Sequence, residues 1–218
     1  MTKSPRARAD WLESGRSLAD RHDMEIAPGV KAARWLGLQL DDPAGKDWDE
    51  AVAIFDRRVR TRYLDPVDLL LRSEAERENR WLFGFTILAI DCLLVETLQA
   101  FRMGLTNTRK RSKDMFRRFL TERPRFSQHF KAPQDAEAFW EHVRCGILHQ
   151  AEVRGGWRVW AVGPLITPLD KGFRVNRTAF HESLAAEFED YKAELKDPHS
   201  TVLRANMRTK MEYVCTAT

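Results

Sequence analysis

Arg144 and His149 stand five positions apart in the run Arg144-Cys145-Gly146-Ile147-Leu148-His149, inside a helix-like segment from Gln134 to Ala151. An arginine is a permanent cation that binds a phosphate or a phosphorane bidentately, and a histidine takes and gives protons near neutral pH. Together they suffice for metal-free cleavage of RNA, provided two copies or a helper group meet in one cleft. The substrate carries its own nucleophile, the 2′-hydroxyl. His149 would move the proton and Arg144 would hold the scissile phosphate, leaving a 2′,3′-cyclic phosphate and sparing DNA. No cofactor and no metal are expected.

The helix around this pair fixes where it points. Ala136, Phe139, Val143 and Ile147 fall on one apolar stripe that must face a core. Arg144 and His149 lie outside it, about 140° apart, and bracket the opposite face. Glu141, Cys145, Leu148 and Glu152 lie between them. Apolar Leu148 and Cys145 on an outward face predict a second protein surface there, most simply the same face of another copy, with a two-fold axis near Leu148. The competing reading pairs Arg144 with Glu141 or Glu152 and leaves His149 a surface residue.

The segment Phe139-Trp-Glu-His-Val-Arg-Cys-Gly-Ile-Leu-His-Gln resembles the R-x4-6-H signature helix of the HEPN superfamily, small α-helical domains frequent among prokaryotic toxins and antiviral ribonucleases. The long apolar helix carrying Glu96, upstream of the motif helix, is also similar to that family's layout. The resemblance spans roughly residues 47–196, specific at the motif and architectural elsewhere. It implies a helical bundle dimerising through the motif helices (134–151) and a metal-independent endoribonuclease of defence or toxin type. Arg144 and His149 would be its catalytic pair, with Cys145 and Glu96 in support. Many members carry a polar residue such as asparagine after the arginine; this chain has Cys145. The rival class is a non-catalytic RNA- or protein-binding module using the same face. An antitoxin or sensor protein is a further possible partner, and residues 1–46 an accessory segment that could serve it.

Other groups carry weaker signals. His142, Cys145 and His149 at i, i+3 and i+7 could ligate zinc but lack a fourth ligand nearby in sequence. Cys145 and His149 at i, i+4 lack any orienting third group for nucleophilic work. Between Arg102 and Arg125, nine basic residues stand against Asp114 and Glu122. Arg109, Lys110, Arg111 and Lys113 form the densest part, a rim suited to an RNA backbone. Phe116, Phe119, Phe126 and Phe130 are interleaved with the basic residues; Phe116 and Phe119, with Leu120, have core spacing on a short helix, which favours burial over stacking on bases. Asp91 and Glu96 interrupt an apolar helix and need partners, for which Arg144, His149 or an unrelated arginine equally qualify.

The remaining pattern predicts an all-α bundle with a small β-hairpin (about 157–176) inserted before its last helix. A short helix is expected from Asp10 to Asp23, and Asp47 could cap another that Pro66 closes or restarts. Ser73 with Glu76 matches a capping box and opens the longest helix, reaching about Arg102. Residues 122–134 are expected to be irregular. Trp157-Arg-Val-Trp-Ala-Val alternates, and Gly155-Gly156 and Lys171-Gly172 mark tight turns. The final helix is expected from Arg177 to Lys196, followed by a polar, loosely held tail (197–218). With 31% charged and 43% hydrophobic residues, a formal charge of +4 and no apolar leader, the composition fits a globular protein rather than a membrane span. Three widely spaced cysteines form no CxxC or disulfide framework, which favours a reducing cytoplasmic setting.

Overall fold

The computed structural model describes residues 22–77 and 82–216 and is predominantly helical with small sheets. The helix expected at Asp10–Asp23 lies, save for its last two residues, outside the described residues. The chain enters through a two-stranded antiparallel ribbon, β1 (Glu25–Ala27) and β2 (Val30–Lys31), and a short helix α1 (Ala32–Leu36). Ile26, Ala27 and Trp35 from these elements are buried in the main hydrophobic cluster. That cluster crosses the boundary expected at residue 46.

Helix α2 (Asp47–Val59) passes through a π-helical turn (Arg60–Leu64) into α3 (Asp65–Ala75). Asp47 is the first residue of α2 rather than its cap, and its carboxylate accepts from the Gln39 backbone N–H at 2.7 Å. Pro66 restarts the helix: the wide turn ahead of it leaves a place for a residue without an N–H. The capping-box expectation at Ser73 and Glu76 is corrected here. Ser73 sits inside α3 and Glu76 just past its end, while the apolar helix α4 (Gly84–Arg102) begins later. An S-x-x-E string is also an ordinary i, i+3 pair on a helix, so burial decides its role. The carboxylate that secures the start of α4 is the buried Glu74, whose Oε1 accepts from Phe83 N at 2.6 Å. Its Oε2 pairs with the Arg177 guanidinium.

Helix α4 is long and apolar enough to cross a membrane, but most of it is buried in the protein core. It is packed by α5 (Ser112–Glu122), which is followed, within the stretch expected to be irregular, by a short α6 (Pro124–Ser127). The motif helix comes next as α7 (Pro133–Phe139), a second π-helical turn (Trp140–Arg144) and α8 (Cys145–Gln150). Phe116 and Phe119 are buried, as their core spacing indicated, and so are Phe126 and Phe130. Phe139 stacks on Phe180 at 5.3 Å and meets Phe130 and Trp157 edge-on. Each such ring removes enough apolar area from water to contribute about 1.5–3 kcal/mol.

The expected hairpin is instead a three-stranded sheet of β3 (Arg158–Trp160), β4 (Ile166–Pro168) and β5 (Phe173–Asn176), in the order β3-β5-β4. β5 is central, parallel to β3 and antiparallel to β4. Trp157 seats the sheet against the inner side of the motif helix through Phe139. Asn176 then caps α9 (Arg177–Lys196), its side chain accepting from Thr178 N and Ala179 N. Helix α4, expected to be the longest, is exceeded by α9 and by the unbroken run of α2, its π-helical turn and α3.

The polar tail is also corrected. Residues 201–216 form a further helix, α10 (Thr201–Thr216), with Met207, Met211 and Cys215 fully buried. Arg204, Met207, Met211 and Cys215 recur at helical intervals, and Arg204 holds the Leu195, Lys196 and Pro43 carbonyls. The core thus runs past residue 196, and two helices, not one, come after the sheet.

Candidate functional site

The π-helical turn at Trp140–Arg144 sets the geometry of the motif. Cys145 N donates to Trp140 O, one residue further back than in an α-helix, so the turn widens and rotates the residues of α8 about the helix axis. The carbonyl of His142 inside this turn accepts from Arg154 N at 3.0 Å. Helix α8 stops at Ala151 in the left-handed region (φ 54°), and the chain folds back along its own helix. Gly146 permits that return. A Cβ there would stand 2.4 Å from the Glu152 carbonyl oxygen, a backbone atom that cannot swing aside.

Arg144 reaches across to α4. Its Nε donates to Glu96 Oε1 at 2.7 Å and its Nη2 forms an ion pair with the same oxygen at 2.7 Å, and the two side chains are only 16% and 17% exposed. The same Glu96 oxygen accepts from Ser112 Oγ at 2.6 Å, and Ser112 in turn accepts from Trp140 Nε1 at 2.8 Å. The remaining guanidinium nitrogen, Nη1, lies 3.4 Å from His149 Nε2. Trp140, Ser112, Glu96, Arg144 and His149 thus form one chain of polar contacts, ending at an exposed imidazole.

This arrangement corrects two expectations. Arg144 and His149 do not bracket the helix at opposite limits: both side chains meet within one chain, because the long arginine folds back toward the imidazole. A second copy is not needed to bring them together. Arg144 pairs with neither Glu141 nor Glu152 but with Glu96, one of the two carboxylates singled out in the apolar helix. The other, Asp91, is fully buried and bonds His181 Nδ1 at 2.8 Å, away from the motif.

The apolar stripe faces inward as expected: Ala136, Phe139 and Val143 are fully buried and Ile147 packs against them. Leu148 and Cys145 are half-buried. Among the described residues no group of three His, Cys, Asp or Glu side chains is placed to hold a metal ion, so His142, Cys145 and His149 do not assemble one. The His142 ring instead packs on Gly155.

Arg109, Lys110 and Arg111, on the loop entering α5, and Lys113, in its first turn, are all exposed. Lys113 bonds Glu137 of α7 at 2.8 Å, and Arg111 lies 3.9 Å from Asp114. Ser112, between them, is the residue tied to Glu96, so the basic loop is anchored beside the site. Other members of the run are spent on structure: Arg102 pairs with Glu194, Arg117 with Asp114 and Arg125 with Asp190. On the sheet, Arg174 covers the Trp160 ring while Arg158 stays exposed.

Ser112 and Trp140 were not anticipated as parts of the site. Trp140 stood within the motif string, but its partner is 28 residues away in sequence, a relation no local spacing expresses. Against known families, curated proteins and solved structures, the chain has no significant match.

Proposed function

We propose that the protein is a metal-independent endoribonuclease with a HEPN-like helical bundle. The observation that carries this reading is the Glu96-anchored Arg144 guanidinium held 3.4 Å from the exposed His149 imidazole. Glu96 fixes one edge of the guanidinium, which leaves Nη1 to meet a phosphate oxygen beside the ring that moves protons. His149 takes the 2′-hydroxyl proton, or delivers one to the leaving 5′-oxygen, as the 2′-oxygen attacks phosphorus in line. The 2′-O–P bond forms as the P–O5′ bond breaks, giving a 2′,3′-cyclic phosphate and a 5′-hydroxyl. Arg144 balances the charge gained by the phosphorane, and Arg109, Lys110 and Arg111 on the loop, with Lys113 at the start of α5, engage flanking phosphates.

One imidazole cannot be base and acid at once, so a second copy remains part of the proposal. Leu148 beside the pair, and Leu93 one turn before Glu96 and 44% exposed, give the site an apolar flank suited to a two-fold contact. In that dimer the partner's imidazole takes the complementary proton step. Defence or growth arrest in the cytoplasm, silenced by an antitoxin or sensor, is the setting this activity would require.

A second reading, a binding module without catalysis, draws support from the same ion pair, since Glu96 already neutralises Arg144. Incubation with labelled single-stranded RNA in EDTA separates the two. Cleavage lost in both Arg144→Ala and His149→Ala supports the enzyme; binding without cleavage supports the module. Cleavage that survives both substitutions sinks this mechanism.

A further inference from the structure

A cleft of about 280 Å³ opens next to the Arg144 site, lined by Arg58, Tyr63, Glu96, Thr97, Thr108 and Lys210 among others. Its cations come from opposite walls, Arg58 from α2 and Lys210 from α10. Neither has a carboxylate partner among the described residues. Arg58 Nη1 donates to the Ile26 carbonyl at 2.5 Å and Lys210 Nζ to the Thr106 carbonyl at 3.3 Å. Arg60, Arg102, Arg144 and Lys192 each meet an acid, whereas Arg58 and Lys210, like the partly buried Arg123 and Arg174, do not; what distinguishes Arg58 and Lys210 is that both line one cleft.

Two half-buried cations facing one cleft are an unbalanced charge. Burial, and then the neighbouring Arg62, push the Arg58 guanidinium down to about 10. Burial, and then Arg58 itself, lower Lys210. An anion placed between them would relieve both effects. Glu96, the acid in the lining, is committed to Arg144 and Ser112. The hydroxyls of Thr97 and Tyr63, 3.1 Å apart, stand on the same wall as further polar partners, while Leu93, Ala100 and Val214 give the cleft an apolar floor. The volume suits one nucleotide unit rather than a bare ion.

We propose that this cleft is a phosphate-binding subsite in which Arg58 and Lys210 grip a phosphate attached to a nucleoside. Two sources fit that chemistry: the phosphodiester adjoining the one at Arg144, or a free nucleotide. The first rests on the nuclease reading above, because Glu96 belongs to both sites and would make them neighbours along one strand. The second does not.

The test uses the full chain carrying His149→Ala, so that RNA stays intact. Anisotropy of a labelled single-stranded RNA octamer is titrated across salt concentration, and adenosine 5′-monophosphate binding is measured by calorimetry. Adding Arg58→Gln with Lys210→Gln is expected to weaken the occupant's binding roughly tenfold or more. If the occupant is an RNA phosphate, the slope of log affinity against log salt falls by about 0.7, the share of one single-strand phosphate. Loss of monophosphate binding with RNA affinity unchanged assigns the free nucleotide. Lys210→Gln alone repeats the measurement without touching the Ile26 tie, so a folding defect at Arg58 does not obscure the result. Arg58→Lys should retain binding. If RNA and monophosphate affinities are both unchanged, the subsite is wrong. A wild type that binds but never cuts sinks the nuclease alone; one that cuts with affinity indifferent to these substitutions sinks the subsite alone.

Discussion

Replacing Glu96 by alanine removes the one acceptor that holds Arg144 on two nitrogens. Exposed ion pairs contribute at most about 1 kcal/mol, while breaking a fully buried pair costs about 3–5 kcal/mol. With side chains 16% and 17% exposed, this pair stands closer to the buried limit. The substitution also strands the Ser112 hydroxyl, which donates to the same oxygen. A loss of about 2–3 kcal/mol in urea denaturation is expected. Because part of that loss is the orphaned guanidinium, Arg144→Ala in the same chain should return some of it. The double-mutant cycle then shows a coupling of about 1–2 kcal/mol. In the RNA cleavage assay the freed guanidinium loses its aim, and a misplacement near 1 Å lowers turnover by about 10²-fold. Glu96→Gln should restore part of both effects, since its amide oxygen still accepts from Arg144 Nε. Additivity of the two alanine substitutions within about 0.5 kcal/mol, or wild-type turnover in Glu96→Ala, would refute the assignment of Glu96 as the group that positions Arg144.

Gly146→Ala drives a methyl group into the Glu152 carbonyl, so the return loop must move; destabilisation of about 1–3 kcal/mol is expected by thermal unfolding, and an unchanged melting temperature contradicts the close approach. The buried Asp91–His181 pair predicts a pH dependence. Burial alone would lower His181, but Asp91 and then Asp68 outweigh it and raise its pKa, and burial raises Asp91. The Asp91 shift contributes in the acid range, fully present only below the ordinary carboxylate value of 3.8, whereas the His181 shift makes the folded chain hold, near neutrality, a proton that the unfolded chain binds less tightly. That stability is fully present below the unfolded histidine value, about 6.5, and is lost as pH rises through the folded value. Wild type should therefore lose stability above neutrality more steeply than His181→Gln; parallel profiles would count against the pair. Leu148→Glu should shift sedimentation toward monomer, and a fully retained dimer places the two-fold contact elsewhere.

The motif helix was legible because its apolar positions repeat at helical spacing and Gly155-Gly156 follows it, although the left-handed Ala151 that closes it carries no signal in the sequence. Its π-helical turn was not, since the extra residue per turn depends on packing against α4 and α5 rather than on any local residue preference. That turn sets how α8 is rotated relative to α7, while the meeting of Arg144 with His149 comes from the long arginine side chain folding back, which positions on a helical wheel do not express. Glu96 stood out as a charge on an apolar helix, which demands a partner, although spacing left its identity open between Arg144 and an unrelated arginine. The start of α4 was misread because Ser73 and Glu76 satisfy a cap and a helix interior equally well. Only the burial of Glu74 against Arg177 and Phe83 distinguishes them. In α10 the charged residues between Arg204, Met207, Met211 and Cys215 masked a buried stripe.

The central claim is that Arg144 and His149 act on the RNA 2′-hydroxyl without a metal. End-group analysis by mass spectrometry of a short RNA cut in EDTA tests it most directly, with a matched strand bearing a single 2′-deoxy nucleotide at the cleavage position. The account predicts a 2′,3′-cyclic phosphate and a 5′-hydroxyl from the RNA, no cut at the deoxy position, and loss of activity of about 10²–10⁴-fold in His149→Ala. A 5′-phosphate product, or cleavage at the deoxy position, would contradict it.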